Sequence, residues 1–536
     1  MEREEEKKLE SLSPFEVKNI LIELAETHHE RMMLNAGRGN PNWVATRPRH
    51  GFFQLGLFAM TEAERSFTDL DEFGGHPEKQ GIDERFAAFV DKQNGTQGVQ
   101  FLKDAVAYVN DKLGIAPVDL IFEMVDGILA DNYPVPDRIL RYSETIINAY
   151  LKQELCAGGL VPEGKFDLFA TEGGTAAMTY IFNSLSENKL IKPGDKIGLG
   201  TPIFTPYLEI PILNDYRLVE VEIMASEEDA WQVPDTEIDK LLDPEIKAFF
   251  LVNPSNPPSV RLRDTTINRI ADIVNTKRKD LILLTDDVYC TFTNDFTSLA
   301  AVAPANTIGV YSFSKYFGAT GWRLGVIALH EDNILDKAIR VLPQKDQDAL
   351  RERYEGVSLD PAKMKLIDRM VADSRAVALN HTAGLSTPQQ VQMVLFSLYG
   401  LLDHEYHTDA YKKAAQGIVK RRYNILCAAA KVPPIVSTDD PNNACYYTEV
   451  DILRIAEQRF GKEFADWLVE NFEPLDFEIR LAEEKSVVLM PGGGFAAPEW
   501  SLRVSLANLP DEAYSEITKN IRELLEEYYQ RFQQSK

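Results

Sequence analysis

The chain has 536 residues, 44% hydrophobic and 26% charged, a mix that excludes disordered, collagen-like and membrane-spanning chains. Its length allows roughly three domains of about 150 residues, or one larger α/β fold. With 57 Lys and Arg against 83 Asp and Glu, the net charge is −26, which argues against nucleic-acid binding by a basic surface and against docking to an anionic membrane; an acidic substrate needs a local cluster of Arg and Lys.

Met1–Glu10 is a charge run with no apolar stretch behind it, so no signal peptide is expected and the protein reads as cytoplasmic. The longest apolar runs, such as 248–252, fall far short of the ~20 residues that span a bilayer. Cys156, Cys290, Cys427 and Cys445 form no Cys-x-x-Cys pair, so reduced thiols are expected and no metal site.

Residues 15–33 read as an amphipathic helix, 34–43 (LNAGRGNPNW) as a Gly/Asn/Pro turn cluster, and 118–130 again as a helix. From Lys165 onward, short apolar runs alternate with helical patterns. KIGLG (196–200), AFFLV (248–252), LILL (281–284) and TIGVYSF (307–313) predict buried strands, with a crossover helix at 263–277. That alternation predicts an α/β fold with a mostly parallel sheet and helices on both faces. A charged helical stretch at 331–380 carries no strong strand signal, and 403–536 mixes long helical patterns with short strands near 445–450 and 501–506. The expected division is an N-terminal arm at 1–60, a large domain at 61–400 with a helical insertion at about 331–380, and a small α+β domain at 401–536 against which the arm packs.

Five segments carry chemistry. In TEGGT (171–175) a helix starts at about Thr175, and Gly173 and Gly174 leave free N–H groups at that N-terminus, a seat for phosphate. NPSNPPS (253–259) follows a strand, and its two Asn-Pro steps impose a rigid loop from which Asn256 can donate. TDDVY (285–289) places a carboxylate at a strand's carboxyl end and a phenol three residues on. A carboxylate there can hold a pyridinium nitrogen protonated, and the phenol can reach the ring's oxygen. In YSFSKYFGATGWRLG (311–325) Lys315 lies just past a strand end, flanked by Ser312 and Ser314, with Arg323 eight residues later. Ligands of open α/β sheets bind at such ends. Finally, Arg503 lies in a strand-like apolar run after PGGG (491–494); a buried Arg needs an anionic partner, either a ligand carboxylate or an internal Asp or Glu. Taken singly, each segment also has a plain structural reading, such as an acidic turn or a surface lysine beside a Gly-rich loop.

In this order and spacing the five segments resemble the fold-type I, aspartate aminotransferase family of pyridoxal-phosphate enzymes, over about residues 112–510. The resemblance implies pyridoxal 5'-phosphate as cofactor and a set of roles. Lys315 is then the Schiff-base lysine and proton shuttle, and Asp286 the pyridinium partner. Tyr289 and Asn256 contact the ring oxygen, while Ser312, Arg323, Gly174 and Thr175 cradle the phosphate. Phe204 stacks on the ring, and Arg503 clamps the substrate's α-carboxylate. KLGIAP and ADNYP resemble the family's substrate-side glycine and the tyrosine lent by a neighbouring subunit, which gives Gly114 and Tyr133. At least a homodimer with shared sites is implied.

Two departures bear on the reaction. The chain is longer than a typical aminotransferase of this group, the surplus lying in the first hundred residues and after Gly325. LSTPQQ (385–390) resembles the segment that follows the arginine for the distal carboxylate, but counting back four from Ser386 gives Thr382. Either the substrate lacks a distal carboxylate, or that carboxylate is held loosely because it leaves as CO2: an ion pair would stabilise the ground state and not persist as the charge departs. Arg38 could steer it instead. Size, N-terminal extension and insertion most resemble the aspartate 4-decarboxylases, which convert L-aspartate to L-alanine and CO2 with transamination to 2-oxo acids as a side activity. The alternatives are an aminotransferase without decarboxylation and, more remotely, a non-enzymatic regulator on the same fold, which would be expected to have lost Lys315 or Arg323.

Overall fold

The structure, a computed structural model, describes residues 3–10, 12–26, 32–213, 216–375 and 384–536. At its centre is a seven-stranded sheet in the order Phe166–Thr171, Gly325–His330, Thr307–Ser312, Ile282–Asp286, Ile246–Val252, Lys196–Thr201, Val219–Met224. Gly325–His330 runs against both its neighbours, and the other pairings are parallel. The apolar runs are continuous because both faces are covered. Ala248, Phe250 and Val252 enter one core with Ile282 and Leu284. Ile246, Phe249 and Leu251 enter another with Leu281, Leu283 and the helix Asp264–Asp272. From Ala248 onward the alternation divides the strand Ile246–Val252 and the strand Ile282–Asp286 between two cores, and each buried Leu or Phe contributes about 1.5–3 kcal/mol.

The N-terminal arm ties the two ends of the chain together. Val17, Leu21 and Ala25 of helix Pro14–Glu26 pack on Leu475, Ile479 and Ala482 of helix Pro474–Lys485. The short strand Leu34–Asn35 then pairs in parallel with Val487–Val488. The expected reach of the first helix to residue 33 crosses 27–31, which lie outside the described residues. Further on, Trp43 Nε1 donates to Tyr316 O at 3.2 Å, and Arg49 donates to Phe317 O at 3.0 Å and Gly318 O at 2.6 Å, so the arm lies across the loop that carries Lys315.

Residues 331–380 hold the helices Ile334–Arg340, Gln344–Tyr354 and Leu366–Ser374. Asp373 accepts from Ser184 at 2.7 Å and from Tyr354 at 3.0 Å, and Arg369 donates to Asn188 at 3.1 Å. These buried bonds attach the segment to the end of helix Gly174–Glu187. Near the C-terminus, Met490–Pro491, Ser501–Ser505 and Tyr447–Asp451 form an antiparallel three-stranded sheet.

The domain boundaries expected at 60/61 and 400/401 fall inside the helices Thr46–Ser66 and Thr387–His407. Among the described residues no helix is long and apolar enough to cross a membrane, and all four cysteines are free thiols.

Candidate active site

The parallel strands Ile246–Val252, Ile282–Asp286 and Thr307–Ser312 end side by side, with Val252 in register with Asp286 and Asp286 with Val310. Chain leaving these ends supplies the polar groups. One cavity is lined by Gly174, Thr175, Phe204, Asn256, Asp286, Tyr289, Ser312, Lys315 and Arg323, so residues spread over some 150 positions of sequence meet at one point.

Two residues at one end of the cavity suit an anion. Gly173 has φ +96°, and a Cβ on it would lie 2.3 Å from Arg323 Nη2, so glycine there is what lets the guanidinium reach the start of helix Gly174–Glu187. Arg323 donates to Thr320 O at 3.0 Å and Glu172 O at 3.1 Å and has no acidic partner within ion-pair distance among the described residues. Free helix N–H groups, a guanidinium bonded only to carbonyls and the Ser312 hydroxyl form a cradle for a phosphate.

Asp286 lines the same cavity and is buried. Tyr207 donates to its Oδ2 at 2.5 Å and the Val288 N–H to its Oδ1 at 3.1 Å. Burial pushes the carboxyl up to about 6, against the pull of these two bonds and of Lys315. Beneath it Asp287 is pushed up to about 7 by burial, opposed by bonds from Ser298 and Thr285. A cationic ring nitrogen beside Asp286 would relieve that cost. The residues therefore fit pyridoxal phosphate, with donors for its phosphate, a carboxyl for its ring nitrogen and the Lys315 amine all lining one cavity.

The substrate side is built from the arm and the C-terminal sheet. Arg503 is 1% exposed, and its guanidinium lies 4.5 Å from the Tyr447 ring centre and 4.8 Å from that of Phe495. It donates to Asn256 Oδ1 at 3.2 Å and Gly37 O at 2.9 Å, and its Nε is unpaired. Burial lowers its pKa, and the neighbours that oppose this are the phenols Tyr447, Tyr289 and Tyr446. No carboxylate pairs with it among the described residues. A buried guanidinium in this state can take a carboxylate as partner.

Gly114 does not join the site: it is the exposed C-cap of helix Val99–Leu113 at φ +67°. The glycines that stand against the chemistry are Gly37, whose carbonyl meets Arg503, and Gly39, whose carbonyl accepts from Lys315 Nζ at 3.0 Å. Several Gly-containing turns precede the first core strand, and only packing tells which one folds over Lys315. Tyr133 is exposed and lies apart from the cavity. Arg38 is exposed on the turn between Gly37 and Gly39. Thr382 lies outside the described residues, and the following LSTPQQ caps helix Thr387–His407 with a Ser386–Gln389 capping box.

Sequence reasoning also missed Tyr207, Tyr447 and Lys18. Tyr207 stands one helical turn after Phe204, a spacing that was available. Lys18 lies on the arm helix, where burial first and then the charges of Arg38 and Arg503 lower its pKa. Lys18, Arg38 and Arg503 form a cationic group in a protein of net charge −26, a local reversal that suits a dicarboxylate.

The aminotransferase class I and II family matches residues 170–521. A Pseudomonas protein named bifunctional aspartate aminotransferase and L-aspartate beta-decarboxylase is 50% identical over 525 residues, covering 98% of each chain. Aromatic-amino-acid aminotransferase 2 of Thermococcus litoralis is 27% identical over 40% of this chain and 58% of its own. In fold, a Thermus thermophilus aspartate aminotransferase double mutant superposes with a TM-score of 0.56 at 16% identity, over 97% of this chain and 98% of that one.

Proposed function

The chain belongs to the aminotransferase class I and II family, and from that premise we propose that it removes the β-carboxyl group of L-aspartate, yielding L-alanine and CO2, with transamination to 2-oxo acids as a side activity. One observation carries the proposal: similarity to the bifunctional Pseudomonas protein runs at 50% identity through 98% of both chains, so it takes in the arm and the 331–380 segment that lengthen this chain. The cationic group of Lys18, Arg38 and Arg503 supports a substrate with two carboxylates.

Pyridoxal phosphate, when bound, supplies the electron withdrawal that both reactions need. Helix N–H groups at Gly174 and Thr175, the Ser312 hydroxyl and Arg323 would hold its phosphate. Asp286, braced by Tyr207, would hold its ring nitrogen, Tyr289 and Asn256 its ring oxygen, and Phe204 its face. Lys315 would bind it covalently and, once released, move the substrate's α-proton. Arg503 holds the α-carboxylate between two aromatic faces, which also keep water away from it. Arg38 and Lys18 draw the distal carboxylate in, and Thr382 is the residue we assign beside it. Water access decides the partition between hydrolysis, which completes transamination, and decarboxylation. We further assign the protein to the cytoplasm as at least a homodimer, with Tyr133 reaching the neighbouring subunit's site.

The test is incubation of the purified protein with pyridoxal phosphate and L-aspartate, without a keto acid. Many turnovers giving alanine and CO2 in equal amounts are expected. A single turnover that stops, and resumes on addition of 2-oxoglutarate, would reduce the activity to transamination.

A further inference from the structure

Decarboxylation at Cβ leaves a carbon that needs a proton, and Lys315 serves the neighbouring Cα. A second donor must therefore stand near Lys315 on the substrate side. Ser312 and Ser314 bond one another at 3.0 Å, at the phosphate end. Tyr446 donates to Gly39 O at 2.9 Å, so its proton is engaged. Tyr289 faces the ring oxygen and donates to Tyr447 at 3.2 Å.

Tyr447 opens the strand Tyr447–Asp451 and is 2% exposed. A Cβ on Gly39 would lie 2.2 Å from its hydroxyl and 3.0 Å from Lys315 Nζ, so the two groups crowd the same bare face of that glycine. Its ring also carries the Arg503 guanidinium, which places the phenol next to the seat of the α-carboxylate, one carbon from Cβ.

We propose that Tyr447 is a second proton-transfer residue of this site, donating to the substrate carbon that loses its carboxylate. The inference rests on the decarboxylase reading above. The bond from Cβ to the carboxylate carbon breaks, CO2 leaves, and the electron pair stays with the substrate. That pair forms a Cβ–H bond with the hydroxyl proton of Tyr447. The phenolate then takes a proton from the Lys315 ammonium, which solvent restores, so one proton is consumed per CO2 and nothing is oxidised or reduced.

The electrostatics run the same way. Burial works to raise the pKa of Tyr447, but the charges of Lys315 and Arg503 and the hydrogen bonds from Tyr289 and Lys315 bring it below that of an ordinary phenol. Burial leaves its neighbours Tyr289 and Tyr446 well above it.

The experiment compares wild type with Tyr447→Phe in two assays. Ultraviolet titration of the cofactor-free protein should show one phenol ionising ahead of the rest, absent from the variant. In the loaded enzyme, alanine formation from L-aspartate should fall about 100-fold, at least about tenfold further than aspartate transamination with 2-oxoglutarate falls in the same variant. An equal fall in both reactions, no fall in either, or an early-titrating phenol that survives the substitution overturns the proposal. If wild type itself forms no alanine, the functional reading fails and takes the inference with it; if wild type does and the variant matches it, only the inference fails.

Discussion

Replacing Arg503 with Met separates a ligand-binding arginine from a structural one, because the structure assigns opposite outcomes to affinity and stability. Removing one partner from a desolvated charge pair costs about 3–5 kcal/mol, so kcat/KM for L-aspartate should fall by about two to three and a half orders of magnitude. In the free protein no such pair exists among the described residues. Arg503 makes hydrogen bonds to Gly37 O and Asn256, each worth about 1.5–3 kcal/mol for a charged donor, and touches two ring faces worth about 0.5–2 kcal/mol each. Against this stand several kcal/mol for burying an uncompensated charge and an unpaired Nε. The terms nearly cancel, and methionine fills much of the same space between Tyr447 and Phe495. Stability should therefore shift by no more than about 1.5 kcal/mol either way. The assay pairs alanine-formation kinetics at saturating cofactor with urea unfolding. A variant that loses more than about 3 kcal/mol of stability while keeping its kcat/KM would refute the reasoning, since Arg503 would then be a structural residue.

Two other outcomes follow from buried groups. Asp286 and Asp287 have folded-state pKa values raised to about 6 and about 7. Their favourable contribution is therefore complete below the unfolded value near 4 and is lost as pH rises through those two values. Urea unfolding of the cofactor-free protein should show several kcal/mol less stability at pH 8 than at pH 5, and Asp287→Asn should shrink the difference; a flat profile in wild type would contradict it. Gly318 has φ +60°, and a Cβ there would meet Trp43 O at 1.9 Å, so Gly318→Ala should prise the arm from the Lys315 loop. A loss of about 2–4 kcal/mol and faster proteolysis near residue 43 are expected, and an unchanged unfolding midpoint would count against that packing.

Local sequence reaches as far as covalent neighbours and periodicity do. The strands around Phe249, Leu283 and Val310 were legible because a two-faced sheet demands unbroken apolar runs, and the helix at Gly174 because its Gly-Gly start and apolar face lie within one segment. Asp286 and Lys315 were legible as polar groups at strand ends, and the roles proposed for them and for Arg323 came from the family resemblance. That the boundaries at 60/61 and 400/401 fall inside the helices Thr46–Ser66 and Thr387–His407 was not legible, because no composition change marks a continuous helix. Gly114 came from the resemblance of KLGIAP to a family motif, and that Gly37 and Gly39 stand beside Arg503 and Lys315 is visible only once the chain is folded.

The sequence by itself determined the α/β class, the order of the strand-end motifs and the presence of Thr382 four residues before Ser386, where the family resemblance implies an arginine. These are properties of composition and short spacing, which survive without knowledge of contacts. Only the tertiary structure decided that Tyr207 braces Asp286, that Gly39 and Tyr447 close over Lys315, and that Lys18 and Arg38 gather beside Arg503. Each of these joins residues far apart in the chain, and such contacts arise when the arm packs across the Lys315 loop and onto the C-terminal sheet, bringing scattered polar groups into one desolvated space.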